Sequence, residues 1–134
     1  MADIEWNPGL SIGVDSIDHE HQQLIGYANA LVHGVRGADA KAVAKAFQEL
    51  RKYTVIHFGN EEEYMQQIHY PSLNAHRQQH SDLKHQVKIY QDTLYRRGDI
   101  TEHEVVEFLK HWLIDHVLHT DMEIKHFLAG KTAG

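Results

Sequence analysis

Apolar residues recur every three or four positions along most of this chain, which is the spacing of residues on one face of an α-helix. Four long stretches carry such a stripe, and none shows the strict alternation that is typical of a half-buried strand. The connections between the stripes are short. The pattern therefore predicts an all-α fold, an antiparallel up-down-up-down four-helix bundle in which consecutive helices are neighbours.

Capping residues and glycine indicate the ends of the first two helices. The first helix is predicted to begin near Asp15–Asp18, with Ser16 or Asp18 as its N-terminal cap. Gly34 and Gly37 favour the end of this helix, and Asp39 favours the start of the second one. These two helices are therefore predicted to be joined by only a few residues.

The third helix is predicted to run from about Ser72 to Arg96. Pro71 separates it from the second helix, because proline disfavours helix in the residue before it and suits a first helical turn. A turn is expected at Gly98, and Thr101 begins a capping-box pattern with a glutamate three residues later. The fourth helix is therefore expected to start just after Thr101.

The chain has 134 residues, which is enough for one domain that buries its own core. We expect a single domain over 1–134, with an extended N-terminal arm over 1–15 and the bundle over 16–128. The arm is interrupted by proline and glycine, but its apolar residues should pack on the bundle. A tail of small residues over 129–134 is expected to fray.

Composition excludes several classes of protein. The net charge of −6 argues against a broad nucleic-acid surface. The absence of cysteine excludes disulfides, thiolate metal sites, iron–sulfur clusters and thiol catalysis, and it fits a reducing cytoplasm, where we expect the protein to work. No apolar run approaches the roughly 18 residues of a membrane helix, and no secretion signal is evident, so membrane insertion is not expected. Without cysteine or a large exposed apolar stripe, a monomer is favoured.

Histidine is the unusual feature, with 13 residues in the chain. Neutral imidazole is the commonest metal ligand in proteins. Five histidines and two carboxylates are predicted to point into the bundle, and together they come from all four helices. These candidate metal ligands are His21, His57, Glu61, His76, His80, His116 and Asp121.

A single histidine on an apolar face is more often a hydrogen-bonded core residue than a metal ligand. Seven buried polar groups without partners, however, would cost several kcal/mol each, and a metal centre satisfies them together. The metal hypothesis is therefore stronger than the core hypothesis for this set. The remaining histidines fall off the stripes or near helix ends and are expected on the solvated surface: His19, His33, His69, His85, His103, His111, His119 and His126.

Seven donors are too many for one structural zinc ion, which takes four ligands. Imidazole and carboxylate without thiolate suit iron or another first-row metal. Two six-coordinate metals offer twelve positions, of which five histidines, two bridging carboxylates and one bridging oxygen fill eleven. One open position suits a small diatomic molecule and leaves little room for an organic substrate.

Two features near these ligands need interpretation. In the acidic run that starts at Glu61, we expect Glu61 to point inward and Glu62 and Glu63 to be solvated. Gly59 lies inside the second helix, where glycine costs about 1 kcal/mol relative to alanine, so we interpret it as a sign of a close approach at the site.

The step from His116 to Asp121 is five residues, which is about 500° on an ideal α-helix. A regular helix would not direct both side chains inward. The sequence therefore predicts either local bending of the fourth helix or a side chain that reaches across the site.

Four segments of the chain carry a resemblance to a known family: D-H-E-H at 18–21, H-F-G-N-E-E-E-Y-M at 57–65, Y-P-S-L-N-A-H-R-Q-Q-H at 70–80 and H-V-L-H-T-D at 116–121. With these segments the sequence resembles the hemerythrins, and more narrowly the single-domain bacteriohemerythrins. The resemblance extends from Trp6 to about Phe127, and all seven ligand positions match in residue type and spacing.

The resemblance implies two non-haem iron ions with a bridging oxo or hydroxo group. It assigns His76, His80 and His116 to one iron and His21 and His57 to the other, with Glu61 and Asp121 bridging the two. Dioxygen would bind reversibly at the vacant position on the iron with two histidines. An apolar oxygen pocket that slows autoxidation is implied at Leu24, Phe58, Trp112 and Leu113.

The leading functional hypothesis is reversible binding of dioxygen, without enzymatic turnover, for storage or for delivery to oxygen-consuming enzymes. A second hypothesis is sensing of oxygen, redox state or nitric oxide, although hemerythrin sensors are often fused to signalling domains. A third is an oxidase, peroxidase or nitric oxide reductase, which a histidine-rich site favours less than a carboxylate-rich one. Iron storage would need a cavity for many ions, which one small bundle does not offer.

Overall fold

The structure is a computed structural model, and it describes residues 4–6, 8–97 and 101–133. For residues 97, 116–118 and 131–133 only the backbone is described. A 3-10 turn at Pro8–Leu10 precedes the helices α1 (Asp15–Arg36), α2 (Ala40–Gln67) and α3 (Leu73–Arg97). The fourth helix has three consecutive segments, which are α4 (Glu102–Leu109), a π-helical segment (Lys110–Leu118) and α5 (His119–Ala133).

The helices form the predicted antiparallel four-helix bundle, with two apolar clusters at different heights. The large cluster includes Leu24, Phe58, Leu83 and Trp112. The small cluster includes Ile17, Met65, Tyr70 and Ile124. Along α1 the chain passes from the small cluster to the large cluster, and along α2 it returns to the small cluster. The fourth helix also runs from the large cluster to the small cluster. This alternation is the up-down-up-down topology.

The connections between helices follow the sequence prediction closely. α1 ends at Arg36, and the side chain of Asp39 caps α2 by accepting a hydrogen bond from the backbone N–H of Ala42 at 3.1 Å. Thr101 caps α4 in the same way, since its hydroxyl accepts from the N–H of Glu104 at 3.2 Å. The predicted turn at Gly98 lies outside the described residues.

The predicted cap of α1 is wrong. Val14 occupies the cap position in an extended conformation and makes no side-chain cap hydrogen bond. Asp18 instead accepts hydrogen bonds from the backbone N–H of Ile12 at 2.9 Å and from the hydroxyl of Ser11 at 2.5 Å. Its carboxylate therefore holds the N-terminal arm rather than its own helix, which a capping rule based on local sequence does not consider.

The N-terminal arm packs on the bundle as expected. Ile4 and Ile12 are buried. The side-chain amide of Asn29 on α1 accepts a hydrogen bond from the N–H of Ile4 at 2.9 Å and donates one to its carbonyl oxygen at 2.8 Å. These two bonds satisfy the backbone of Ile4 and hold the arm against α1.

The C-terminal boundary differs from the expectation. The helix α5 continues to Ala133, whereas the bundle was predicted to end at residue 128. Alanine and lysine favour helix, and a single glycine is tolerated within one.

In the parts of the chain that are described, no helix is both long enough and apolar enough to cross a membrane.

Candidate metal centre

A layer of buried polar side chains crosses the bundle between the two apolar clusters. Six of the seven candidate ligands lie in this layer, and each is at most 2% exposed. They are His21 on α1, His57 and Glu61 on α2, His76 and His80 on α3, and Asp121 on α5. The side chain of the seventh candidate, His116, lies outside the part of the structure that is described. All four helices therefore pass through the layer, and α1, α2, α3 and α5 each contribute at least one described donor.

The donors form two groups that share both carboxylates. His21 and His57 form one group with Glu61 and Asp121, and His76 and His80 form the other with the same two carboxylates. Within each group the potential ligand atoms lie within 4.8 Å of one another. We name these the α1–α2 group and the α3 group.

The two oxygens of Glu61 face different groups. Its Oε1 lies 2.9 Å from Nε2 of His76 and 3.0 Å from Nε2 of His80. Its Oε2 lies 3.2 Å from Nε2 of His57 and 3.8 Å from Nε2 of His21. The carboxylate of Glu61 therefore spans the space between the α1–α2 group and the α3 group.

Asp121 repeats this arrangement from the opposite side of the layer. Its Oδ1 lies 2.9 Å from Nε2 of His76. Its Oδ2 lies 2.7 Å from Nε2 of His21 and 3.6 Å from Nε2 of His57. Both carboxylates therefore present one oxygen to each group of histidines.

These distances fit first-row metal ions. Two ligands at right angles lie about 3 Å apart when each metal–ligand bond is about 2.0–2.2 Å long. Nε2 of His57 and Oε2 of Glu61 are both buried, and among the described residues neither atom makes a hydrogen bond of good geometry, although the two atoms lie 3.2 Å apart. An unsatisfied buried polar atom costs about 1–3 kcal/mol, and a metal ion coordinated by both atoms would remove that cost.

The electrostatics of the metal-free layer favour an ionised Glu61 beside protonated His57 and His76. Burial would lower the pKa of His76, but hydrogen bonds to Asp121 and Glu61 outweigh it and raise the pKa to about 9. Burial is also outweighed at His57, whose pKa the nearby carboxylates hold well above the usual range. Burial would raise the pKa of Glu61, but the four surrounding histidines hold it well below its usual range.

Two glutamates that the sequence analysis did not assign to the site orient its histidines. Glu20 on α1 accepts a hydrogen bond from Nδ1 of His57 at 2.7 Å and another from the amide of Asn60 at 2.8 Å. Glu62 on α2 accepts from Nδ1 of His80 at 2.8 Å. A metal-binding histidine commonly donates its second ring N–H to a carboxylate. The expectation that Glu62 is solvated is therefore wrong, since it accepts such a bond from His80.

The four candidate pocket residues lie in the large cluster, and each is at most 1% exposed: Leu24, Phe58, Trp112 and Leu113. The ring of Phe58 stacks on His80, with ring centroids 3.9 Å apart. The indole N–H of Trp112 donates to the carbonyl oxygen of Leu83 at 2.9 Å. This polar group is therefore satisfied by backbone, and the indole contributes apolar surface to the core beside the donor layer.

The interpretation of Gly59 is wrong. It lies on the exposed face of α2, and a Cβ atom built there would meet nothing within 4 Å. The close approach occurs at Gly34, where a Cβ atom would lie 3.2 Å from Val43.

The eight histidines that were expected on the surface are all exposed.

The π-helical segment Lys110–Leu118 accounts for the unusual spacing in the fourth helix. In a π-helix the hydrogen bonds join residues five apart, so each residue turns the chain by less than the 100° of an α-helix. Part of the five-residue step from His116 to Asp121 lies in this backbone. The reduced rotation helps to return Asp121 to the buried face, where it is 1% exposed.

A four-helix bundle with a buried layer of histidines and carboxylates defines the class of helical-bundle metalloproteins. The family model of the hemerythrin HHE cation binding domain matches residues 12–128, and the chain belongs to the hemerythrin family. Members of this family bind non-haem iron and dioxygen.

Individual relatives agree with this assignment. The bacteriohemerythrin of Stenotrophomonas maltophilia is 32% identical over 117 residues, which cover 87% of the chain and 76% of that protein. A hemerythrin-like protein of Naegleria gruberi is 28% identical over 126 residues, which cover 92% of each chain. A crystal structure of a hemerythrin mutant superposes with a TM-score of 0.78 at 23% identity, covering 91% of this chain and 94% of that one, which supports the fold.

Proposed function

We propose that this protein binds dioxygen reversibly at a di-iron centre with a bridging oxo or hydroxo group, and that it stores oxygen or delivers it to oxygen-consuming enzymes. One observation carries the proposal. Glu61 and Asp121 each direct one oxygen at the α1–α2 group and the other at the α3 group. Two carboxylates shared in this way are suited to bridging two metal ions.

The two groups would hold unequal sets of histidines. His76 and His80 would bind one iron together with His116, and His21 and His57 would bind the other. The α1–α2 group would thus supply one histidine fewer than the α3 group and leave room for dioxygen there. A pair of ferrous ions held by the two groups would supply the two electrons that reversible dioxygen binding requires.

The chain orients the histidines through their second nitrogen atoms. Glu20 fixes the ring of His57, and Glu62 fixes the ring of His80, so that Nε2 of each ring faces the layer. The pKa of Glu20 is lowered, since burial, which would raise it, is outweighed by hydrogen bonds from His57 and Asn60. An ionised acceptor raises the basicity of the imidazole and strengthens its bond to a metal.

The apolar residues beside the layer limit access of water and protons. Leu24, Phe58 and Leu113 carry no titratable group, and the N–H of Trp112 is bonded to backbone. Apolar walls of this kind slow the delivery of protons and water and so favour release of bound oxygen over further reduction. We therefore propose a binding protein rather than an enzyme.

The test is iron content per chain, combined with optical spectra cycled between the anaerobic reduced protein and the air-exposed protein. The proposal requires about two irons per chain and a visible band that appears with oxygen and disappears when oxygen is removed. Two irons with immediate and irreversible oxidation would contradict it and favour redox sensing or catalysis. Iron that never exceeds one per chain would contradict the bridged site itself.

A further inference from the structure

A basic groove lies between α2 and α3 on the outside of the bundle. It has a cavity volume of about 660 Å³. Five cationic side chains line it: Lys41, Lys45, Arg51, Lys52 and Lys84. Residues 41, 45 and 52 are spaced by four and seven along α2, so they lie on one helical face.

The charge of this groove is opposite to that of the chain. The protein has 19 acidic and 13 basic residues, yet no carboxylate is among the described residues that line the groove, which include five of those 13 cations. Among the described residues, no acidic group lies within ion-pair distance of Lys41, Lys45, Lys52 or Lys84. The positive charge is therefore concentrated, and none of these four lysines is ion-paired within the described part of the chain.

Arg51 is held in position for a ligand. Its Nη1 donates a hydrogen bond across the groove to Oε1 of Gln91 on α3 at 2.6 Å, and Gln91 is buried. A guanidinium group has five N–H donors in a fixed plane, so the bond to Gln91 orients the remaining ones. Planar donors of this kind suit carboxylates.

An apolar pocket adjoins one end of the groove. It has a volume of about 400 Å³ and is lined by Val35, Val43, Phe47 and Leu94. Tyr95, which is 65% exposed, lines both the groove and this pocket. The carboxylate at the rim of the pocket, Asp39, is used to cap α2.

We propose that the groove binds an extended acidic segment of a partner protein, with one bulky apolar side chain in the adjoining pocket. From Lys41 to Val55 the groove follows α2 for about 21 Å, which an extended segment of about six residues would span. A compact phosphate ligand would need converging cations, and these are spread along the helix. Single-stranded nucleic acid would need several stacking platforms, and among the residues that line the groove Tyr95 is the one aromatic.

The proposal does not depend on iron chemistry and is tested with the full chain and synthetic peptides. Two fluorescein-labelled eight-residue peptides would each contain five Asp or Glu residues and one phenylalanine, which stands at the N-terminus of one peptide and at the C-terminus of the other. Binding would be followed by fluorescence anisotropy at 0.15 M salt. One of the two peptides should bind, and replacing its phenylalanine with serine should weaken the complex. Failure of both peptides to bind would overturn the proposal.

Charge reversal locates the site. Lys45→Glu with Lys52→Glu should weaken binding by about tenfold or more, because both exposed cations line the groove. Lys110→Glu with Lys125→Glu changes the net charge equally at exposed positions outside the groove and should leave binding within about twofold. Equal weakening by both pairs would show non-specific attraction and reject the groove. Tighter binding of tripolyphosphate or of a ten-nucleotide DNA strand, lost in the groove variant, would reject the acidic peptide as its ligand.

Discussion

The ring of Phe58 lies parallel to the imidazole of His80, with centroids 3.9 Å apart and an angle of 4° between the planes. The Nδ1 atom of the same imidazole donates a hydrogen bond to the carboxylate of Glu62 at 2.8 Å. The orientation of His80 is therefore fixed by an apolar face and a carboxylate together. Phe58 thus shields a candidate ligand from water in addition to filling the core.

Replacing Phe58 with leucine should leave iron bound but hasten autoxidation several-fold, because water gains access to the ligands. The matched control is Phe47→Leu, which alters another aromatic residue of α2 that is also 1% exposed but lies in the core away from the donors. Both variants should lose about 1 kcal/mol of unfolding free energy. Loss of the visible band in air measures autoxidation, and equal rates in the two variants would refute the shielding role.

Glu20→Gln should weaken iron binding by about 10–100-fold, because the amide is a poorer acceptor for Nδ1–H of His57. Competition with a chelator of known affinity measures the change. Glu107→Gln, on the exposed face of α4, removes the same charge and should have no effect. If the two variants bind iron equally, Glu20 does not support the site.

Glu61→Gln should reduce iron loading to well below two per chain, since the altered side chain belongs to both groups of donors. Glu63→Gln, two residues further and exposed, is the control and should load normally. Iron content per chain after reconstitution measures the loading of each variant. Normal loading of the Glu61 variant would remove the central argument for a bridged site.

The metal-free protein should lose stability as the pH rises from about 6.5 through 9. The pKa of His76 is about 9 in the folded state against 6.5 for an ordinary histidine, so the folded state binds more protons in this window. Its contribution, on the order of 3 kcal/mol, is fully present below the lower value and lost above the higher one. Urea unfolding at pH 6 and pH 9.5 measures this change, and His76→Gln should reduce it. A metal-free protein that is equally stable at both pH values would contradict the assigned pairing.

Asn29→Ala should loosen the start of the N-terminal arm, because both hydrogen bonds to the backbone of Ile4 are lost. The expected loss is about 1–3 kcal/mol of unfolding free energy. Asn74→Ala on the exposed face of α3 is the control and should change stability by less than about 0.5 kcal/mol. Hydrogen exchange at the amide of Ile4 should accelerate in the first variant alone, and an unchanged rate would show that the arm is held by other contacts.

Helical periodicity was sufficient to predict the bundle and the inward direction of the candidate donors on the first three helices. His57 and Glu61 continue the apolar stripe of α2, and His76 and His80 continue that of α3, so a purely local pattern locates them. Their convergence requires only that neighbouring helices are antiparallel. Most of the layer could therefore be predicted from the sequence alone.

Features that depend on contacts between helices were missed. Glu20 and Glu62 lie beside the stripes, and their role follows from a neighbouring helix that the sequence pattern does not show. Asp18 was assigned to its own helix end because a capping rule does not include the arm. Gly59 was misinterpreted, since a helical glycine can lie on an open face as easily as at a close contact.

The position of Asp121 in the chain has a consequence for biosynthesis. A nascent chain is made from its N-terminus, so α1, α2 and α3 exist before the fourth helix. The first three helices hold four histidines, Glu61 and both supporting glutamates, whereas Asp121 belongs to each group of donors and lies on the fourth helix. Neither group of donors is therefore complete until the fourth helix has been made and has packed on the other three, so a partly made chain lacks a shared carboxylate in both groups.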